Sequence, residues 1–365
     1  MLRNIFFWKK QEDLPVNGLN QIEKGNSLSR DAWNRLKKNH MAMAGLVMVI
    51  VYTILSITAP ILPIYSYKKI ISDHQDLPPS LTKTAGELWY EKELKAMQRV
   101  AEKEGRELNE EDKARLDEIR HRIATETMEY RGKTVKVHER RYLLGTDYHG
   151  RDMLARIIYG GQVSIAIGFI GTFTSFIIGI LLGSLAGYVG GKTDYMIMRF
   201  VDVMYGLPYM LLVIIFMAIF GRNILNLFLA LSVVSWLTVA RVVRGQIITL
   251  KNSEFVEAAR SMGAGTWRVI LRHLIPNTLG IIIVFATLRI PTFIMMESFL
   301  SYLGLGVSAP YASWGSLVKE GVDGMTIYPW RLFFPAAAMT LFLFAMNFLG
   351  DGLRDAFDPQ SKNKL

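Results

Sequence analysis

The sequence predicts an all-α protein that crosses a membrane six times and carries a polar helical insertion on the outer side. Three observations lead to this fold class. The 365 residues are 51% hydrophobic and have a mean hydropathy of +0.23, which is too apolar for an ordinary soluble domain. The apolar residues gather into long runs, and a membrane span needs about 20 of them. One long stretch between the first two runs is instead strongly polar.

Six apolar runs qualify as spans, and they cover residues 41–62, 163–189, 209–220 with its flanks, 224–240, 278–303 and 332–350. The first run follows a long polar leader and is longer than the core of a cleaved signal peptide, so it stays in the mature chain. The absence of cysteine excludes disulfides and thiolate chemistry. The predicted organisation is a leader at 1–40, a first span at 41–63, an external insertion at 64–143, a five-helix core at 144–353 and a tail at 354–365.

The orientation follows from basic residues near the ends of the spans. They occur in the leader, after the second span, after the fourth span and in the tail: Lys9, Lys10, Lys24, Arg30, Arg35, Lys37, Lys38, Lys192, Arg199, Arg241, Arg244, Lys251, Arg260, Arg268, Arg272, Lys362 and Lys364. Basic loops face the cytoplasm, and six spans allow both termini to lie there. The net charge of +10 is then explained by basic cytoplasmic loops beside an anionic lipid leaflet, and it does not indicate nucleic-acid binding.

The stretch 65–141 contains nearly equal numbers of acidic and basic residues. Apolar residues recur at helical spacing before Gly105 and again after Asn109, which predicts a helical hairpin. The alternating pattern that begins at Lys133 predicts a short strand leading back to the membrane. We favour a solvated cover for the outer surface and keep a docking surface for an external partner as the alternative.

The stretch "AGYVGGKT", residues 186–193, comes within one residue of a phosphate-binding loop. Such a loop joins a buried strand to a helix in a mixed α/β domain. Here it ends an apolar helix and leads into another span. We therefore interpret Gly187, Gly190 and Gly191 as the residues that stop a helix at the membrane surface.

The cytoplasmic loop "NSEFVEAARSMGAGTWRVILRHLIPN", residues 252–277, contains a predicted short helix. Ser253 is a candidate N-cap, and Glu254 and Glu257 fall in the first turns, where the helix dipole favours carboxylates. Gly263 is placed to end the helix in a left-handed conformation. The small residues Ala258 and Ala259 would let this helix sink into a groove of a partner.

At these residues the chain resembles the membrane subunits of ABC importers. The hallmark of that family is Glu-Ala-Ala, three residues, Gly and a later proline, and it is matched by Glu257, Ala258, Ala259, Gly263 and Pro276, with Arg260 inside it. The ending "RHLIPN" resembles the version in oligopeptide and dipeptide permeases. "LGTDYHGRDMLARIIYGG", "ESFLSYLGLGVSAPYASWG" and "NFLGDGLRDAFDP" agree with that family in order, and the chain is most similar to its C-type subunit.

The resemblance implies the type I importer permease fold in a bacterial inner membrane, with a coupling loop at about 245–276. It implies a homologous B-type permease subunit, two cytoplasmic ATPase subunits and an external peptide-binding protein as partners. ATP would be hydrolysed by the ATPases, so this chain would be neither an enzyme nor in need of a cofactor, and nucleic acid would not be a partner. ATP-driven closure would rock the spans between inward and outward openings.

Two alternatives remain open. Related permeases carry nickel, glutathione or sugars, and the external binding protein that selects the cargo is a separate chain. An intramembrane metal-dependent enzyme is a more distant alternative, because Asp147, His149 and Asp152 are three possible ligands within six residues. Their spacing is irregular for a metal site, and the resemblance explains both aspartates as part of a turn.

A candidate translocation path involves Arg289, Glu297 and Asp202. At 1.5 Å per residue from Asn277, Arg289 lies about 18 Å into the fifth span and Glu297 about 30 Å, at the outer surface. A mid-membrane arginine faces water or a carboxylate. Arg289 would therefore contact the C-terminal carboxylate of a passing peptide or form an ion pair with Asp202 or the B-type subunit, and Pro291 would break the helix beside it.

Overall fold

The computed structural model describes residues 28–358 except 131, 222 and 308, and these residues are mostly helical. In chain order the helices are α1 (Leu28–Leu36), α2 (His40–Thr58), α3 (Ala85–Lys103), α4 (Glu110–Thr125), α5 (Met153–Val189), α6 (Gly191–Tyr205), α7 (Tyr209–Phe220), α8 (Ile224–Leu250), α9 (Glu254–Ser261), α10 (Thr266–Val269), α11 (Ile275–Tyr302), α12 (Trp314–Val322) and α13 (Trp330–Phe357). Strands β1 (Thr127–Tyr130) and β2 (Lys133–Lys136) pair antiparallel. The basic residues at 9, 10, 24, 362 and 364 lie outside the described part.

Five helical runs in the described residues are long and apolar enough to cross a membrane: α2, α5, α8, the run Thr266–Tyr302 that contains α11, and α13. A sixth span requires α6 and α7 to count as one, although they meet at 85°. The third span predicted at residues 209–220 with its flanks is therefore a bent pair of helices. Pro208 sits in the break, where it lacks an amide hydrogen and disfavours helical geometry at Leu207.

Helices α5 and α8 form the most extensive helix pair of the bundle. Gly179, Gly183 and Gly187 repeat every fourth residue along α5 and face α8. A Cβ at Gly183 would lie 2.4 Å from the carbonyl oxygen of Ala240, so only glycine permits this approach. Small residues commonly allow such close helix packing in membranes. Gly187 is thus a packing residue inside α5. The sequence-based prediction that it stops the helix is wrong.

Gly190 and Gly191 do form the expected turn. Their φ angles are +70° and +55°, a left-handed region that glycine adopts without a steric penalty. Helix α5 ends just before them, and α6 begins at Gly191. The segment "AGYVGGKT" therefore joins two helices, which is not the strand-to-helix setting of a phosphate loop.

The fifth span differs from expectation at Pro291. Helix α11 continues through Pro291, so the predicted break is absent. The irregularity lies earlier, where Ile270–Leu274 forms a π-helical turn and the amide of Ile275 donates to the carbonyl of Ile270. A π-turn widens the helix by one residue, and it lies just before Pro276, which has no amide hydrogen to donate.

The polar segment contains the two helices that its periodicity predicts, α3 and α4. Thr84 and Asn109 begin them with capping boxes, and Gly105 between them has a φ of +65°. Their small apolar core also includes Leu77 and Tyr142, which flank the hairpin. The hairpin therefore packs against the segments of the insertion that precede and follow it.

Candidate functional site

Helix α9 begins without the side-chain cap that the sequence suggested. Ser253 has extended backbone angles, but its side chain accepts no bond from the first turn. Its hydroxyl instead donates to the carbonyl of Leu250 at 2.6 Å, which ties the start of α9 to the end of α8. Glu254 and Glu257 lie in the first turn as predicted, and both are exposed.

Gly263 ends this helix as predicted. Its φ is +81°, and its amide donates to the carbonyl of Arg260 at 2.8 Å. The next amide, of Ala264, donates to the carbonyl of Ala259 at 3.0 Å. These two bonds are a Schellman motif, so the end of α9 is fixed by backbone geometry that requires a left-handed residue.

The two alanines of the hallmark face opposite ways. Ala259 is buried together with Val256, in an apolar cluster to which α5, α8 and α11 also contribute. Ala258 is exposed. Exposed apolar side chains nearby are Phe255, Met262 and Trp267. Helix α9 thus has one face anchored in the bundle and one face, both acidic and apolar, available to a partner.

A contact that sequence reasoning missed holds α9 against the end of α5. The Arg260 Nε donates to the hydroxyl of Tyr188 at 3.1 Å, and the guanidinium lies 5.0 Å from the centre of the tyrosine ring. Both residues belong to motifs noted in the sequence, but 72 residues separate them. This contact joins the surface of α9 to the end of α5. Pro276 lies after the π-turn, in the first turn of α11.

Arg289 is half-buried within α11 and lines a cavity of about 210 Å³ between α6, α7, α8 and α11. Thr292, Phe293 and Met296 line the same cavity from the same helix face. The sequence predicted a mid-membrane arginine facing a cavity or a carboxylate. In the described part of the chain, Arg289 faces the cavity and has no ion pair.

The other two candidate path residues are engaged elsewhere. Asp202 accepts a bond from Arg241 at 2.6 Å and lies 3.7 Å from Arg199, so the suggested pair with Arg289 is wrong. Glu297 is fully buried inside the protein near the end of α11, and its depth at the outer membrane surface stays a prediction. Its Oε1 accepts bonds from the hydroxyls of Ser301 and Ser313, both at 2.6 Å.

Two family models match this chain. Residues 179–363 match the binding-protein-dependent transport system inner membrane component, and residues 27–79 match the N-terminal membrane domain of oligopeptide transport permease C. The dipeptide transport system permease protein DppC of Bacillus subtilis is 37% identical over 92% of this chain and 86% of its own length. The chain belongs to this family of transport components.

Two further relatives of the transport component differ in the cargo that their names give. The oligopeptide transport system permease protein OppC of Haemophilus influenzae is 48% identical over 60% of this chain and 71% of its own length. The glutathione transport system permease protein GsiD of Pectobacterium atrosepticum is 41% identical over 60% of this chain and 73% of its own length. Membership implies an inner-membrane protein that is not itself catalytic and works with a second permease, ATPase subunits and a substrate-binding protein.

The carboxylates that suggested a metal site in this transport component have other partners. Asp147 accepts bonds from Arg151 and Arg156, each at 2.6 Å. Asp152 caps α5 by accepting from the amides of Leu154 and Ala155. The three candidate ligands therefore do not converge on a metal, because two arginines and a helix start occupy the oxygens.

Arg156 also reveals a network that the sequence did not suggest. Its guanidinium bridges Asp147 to Glu320 of α12, with a bond of 2.5 Å to the glutamate. Arg331, at the start of α13, in turn binds Asp76 at 3.0 Å and the carbonyl of Glu320 at 2.9 Å. These bonds join α12 and the first turns of α5 and α13 to the polar insertion.

Proposed function

We propose that this chain is the C-type membrane subunit of an ATP-driven peptide importer. Both termini are cytoplasmic, and peptides pass inward between this chain and a homologous B-type subunit. Two partner ATPases bind and hydrolyse the ATP, and an external binding protein delivers the peptide. The names of the oligopeptide and dipeptide relatives support the cargo, and the basic residues beside the spans support the orientation.

The exposed face of α9 is the single observation on which the proposal rests. Glu254, Glu257 and Ala258 are accessible, whereas Val256 and Ala259 are buried against the spans. A partner that grips the outer face can therefore move the buried face, and with it α5, α8 and α11. This geometry suits domain closure in one protein that switches a helical bundle in another.

The test is ATP-dependent uptake in proteoliposomes that contain this chain, the B-type subunit and both ATPase subunits, with the binding protein added. We expect labelled oligopeptide to accumulate only with ATP and only when every partner is present. Omitting one component at a time is the control, and the purified chain alone should hydrolyse no ATP. Uptake without ATPase subunits, or hydrolysis by this chain alone, would contradict the proposal.

The glutathione relative favours a second candidate cargo. The two candidates separate in a competition experiment with the same proteoliposomes. If peptides are the cargo, an excess of unlabelled oligopeptide should suppress uptake, and glutathione, nickel or a sugar should not. If glutathione, nickel or a sugar suppressed uptake and oligopeptide did not, the chain would still be an importer subunit, but its cargo would not be peptides.

A further inference from the structure

We infer that Arg289 and its cavity form a binding subsite for the C-terminal carboxylate of the passing peptide. The inference rests on the proposed function and adds to it the chemical group that this chain recognises. It starts from the placement of an arginine in the middle of a membrane span. A guanidinium at that depth costs about 2.5–3.5 kcal/mol even on lenient insertion scales, so it is expected to have a specific anionic or aqueous partner.

The carboxylates within reach of the bundle do not supply that partner. Asp202 is bound by Arg241, and Asp194 receives two bonds from Arg244, at 2.5 and 2.6 Å. Glu297 lies eight residues further along α11, about 12 Å away at 1.5 Å per residue. Among the described residues, no ion pair or hydrogen bond joins Arg289 to a carboxylate, and its guanidinium is available to a ligand.

The cavity supplies a setting of the right character. Four hydroxyls in its lining are paired with one another, because Tyr209 binds Ser235 at 3.1 Å and Tyr205 binds Thr238 at 2.5 Å. The fifth, of Thr292, donates to a backbone carbonyl of its own helix at 3.5 Å. These hydroxyls are uncharged, and Arg289 is the charged group that lines the cavity. The remaining lining is apolar: Met204, Leu207, Val234, Leu237, Phe293 and Met296. This combination fits a carboxylate that carries an apolar side chain beside it.

The size of the cavity restricts what it can hold. About 210 Å³ is less than the roughly 300–1,000 Å³ of a complete small-molecule pocket. The cavity therefore suits one end of a peptide rather than a whole oligopeptide. Because a guanidinium donates two parallel bonds to a carboxylate, the C-terminus is the end that it would select. A peptide of any length or sequence presents that group.

The experiment compares each peptide with its own C-terminally amidated form. The complete importer is reconstituted with the unchanged chain, with Arg289→Gln or with Arg289→Lys, and uptake of both forms is measured. Arg99→Gln is the matched control, because it removes the same charge from an exposed position of α3 that does not line the cavity. Copurification of the partner subunits and ATPase activity stimulated by the binding protein establish that each variant assembles. Since every variant uses the same binding protein, its own preference cancels when ratios are compared.

We expect Arg289→Gln to lower uptake of the free acid about tenfold or more, the order expected for losing a charge-assisted hydrogen bond. Uptake of the amide should change little. Arg289→Lys should keep part of the preference, and Arg99→Gln should keep the ratio of the unchanged chain. Equal depression of both peptide forms by Arg289→Gln, or no change in either, would overturn the inference. If the unchanged importer accumulates no peptide, the proposed function itself fails, which is a different result.

Discussion

Two of the helical regions that lie outside the membrane spans, α9 and the hairpin of α3 and α4, are attached to the rest of this transport component in different ways. Helix α9 has only eight residues, yet its buried side chains share an apolar cluster with α5, α8 and α11. The hairpin of α3 and α4 is much longer, but its apolar cluster contains only residues of the polar insertion and its flanks. Ion pairs and hydrogen bonds join the insertion to the spans.

The difference concerns how force passes between regions. A shared close-packed core transmits small displacements, because protein interiors have low compressibility. A displacement of α9 must therefore move the ends of three spans or open a gap beneath Val256 and Ala259. The hairpin of α3 and α4, as far as the structure describes it, shares no apolar cluster with a span. We expect changes on α9 to affect transport strongly and changes on the distal hairpin to affect it weakly.

The largest expected effect comes from Glu257→Lys and Gly263→Pro, which should each reduce ATP-driven uptake to background. Glu257 is exposed, so charge reversal changes the partner-facing surface with little effect on folding. Proline requires a φ near −65°, whereas Gly263 has +81° and donates a backbone bond. Both variants should still insert and copurify with the second permease subunit, because α9 lies outside the apolar spans.

The matched control for charge reversal is Glu107→Lys on the hairpin of α3 and α4. Glu107 is also exposed, and it lies in the loop between α3 and α4. We expect uptake close to that of the unchanged chain. If the two α9 variants transported normally, the coupling role of α9 would be wrong. If Glu107→Lys alone abolished uptake, the contrast between the two regions would be reversed.

Local signals in the sequence predicted the ends of these helices better than their orientation. The roles of Asn109 and Gly263 depend on bonds within a few residues, and both are confirmed. The difference in burial between Ala258 and Ala259 depends on where three distant spans lie. The residues around α9 do not specify that position. The assumed pairing of Asp202 with Arg289 failed for the same reason, since a neighbouring helix offers Arg241 instead.

The insertion contains a second example of long-range contact that the sequence did not predict. A buried chain of hydrogen bonds runs from the Tyr142 hydroxyl to His74 at 2.9 Å, from His74 to His138 at 2.9 Å and from His138 to Glu126 at 3.0 Å. The two histidines are fully buried and lie 64 residues apart in the sequence. Two scattered histidines therefore form one internal contact, which helps to close the insertion onto its flanking segments.

The insertion should lose stability in acid because of this chain. Burial, followed by the charges of His138 and Arg140, lowers the pKa of His74 from 6.5 to about 3. The folded state keeps His74 neutral between these values, whereas the unfolded segment binds a proton. Stability is therefore complete above pH 6.5 and is lost as the pH falls towards 3, by up to about 1.4 kcal/mol per pH unit.

Hydrogen exchange of residues 72–142 in the full-length chain measures this loss. Protection should decrease progressively below pH 6.5, and His74→Gln, which does not titrate, should flatten the dependence. His121→Gln is the matched control, because His121 is exposed and should leave the pH profile unchanged. An identical profile in the unchanged chain and His74→Gln would exclude His74 as the titrating group.

The smallest expected effect comes from removing the far end of the external hairpin, residues 96–116, with a short Gly/Ser linker in their place. The deletion spares Leu77, Trp89, Ile119 and Tyr142, which form the core against the flanking segments. It breaks an ion pair of Arg115 at 3.5 Å, and exposed pairs of this kind contribute little. The deletion also removes the buried Met97, Ala101 and Leu116, which lie outside that core. We expect normal assembly and uptake within about twofold of the unchanged chain, since the retained core still closes the insertion. Loss of the assembled protein would show that the distal hairpin is needed for folding. Reduced uptake with assembly intact would instead favour the docking surface over the solvated cover, because only a partner that touches the hairpin would then detect its absence.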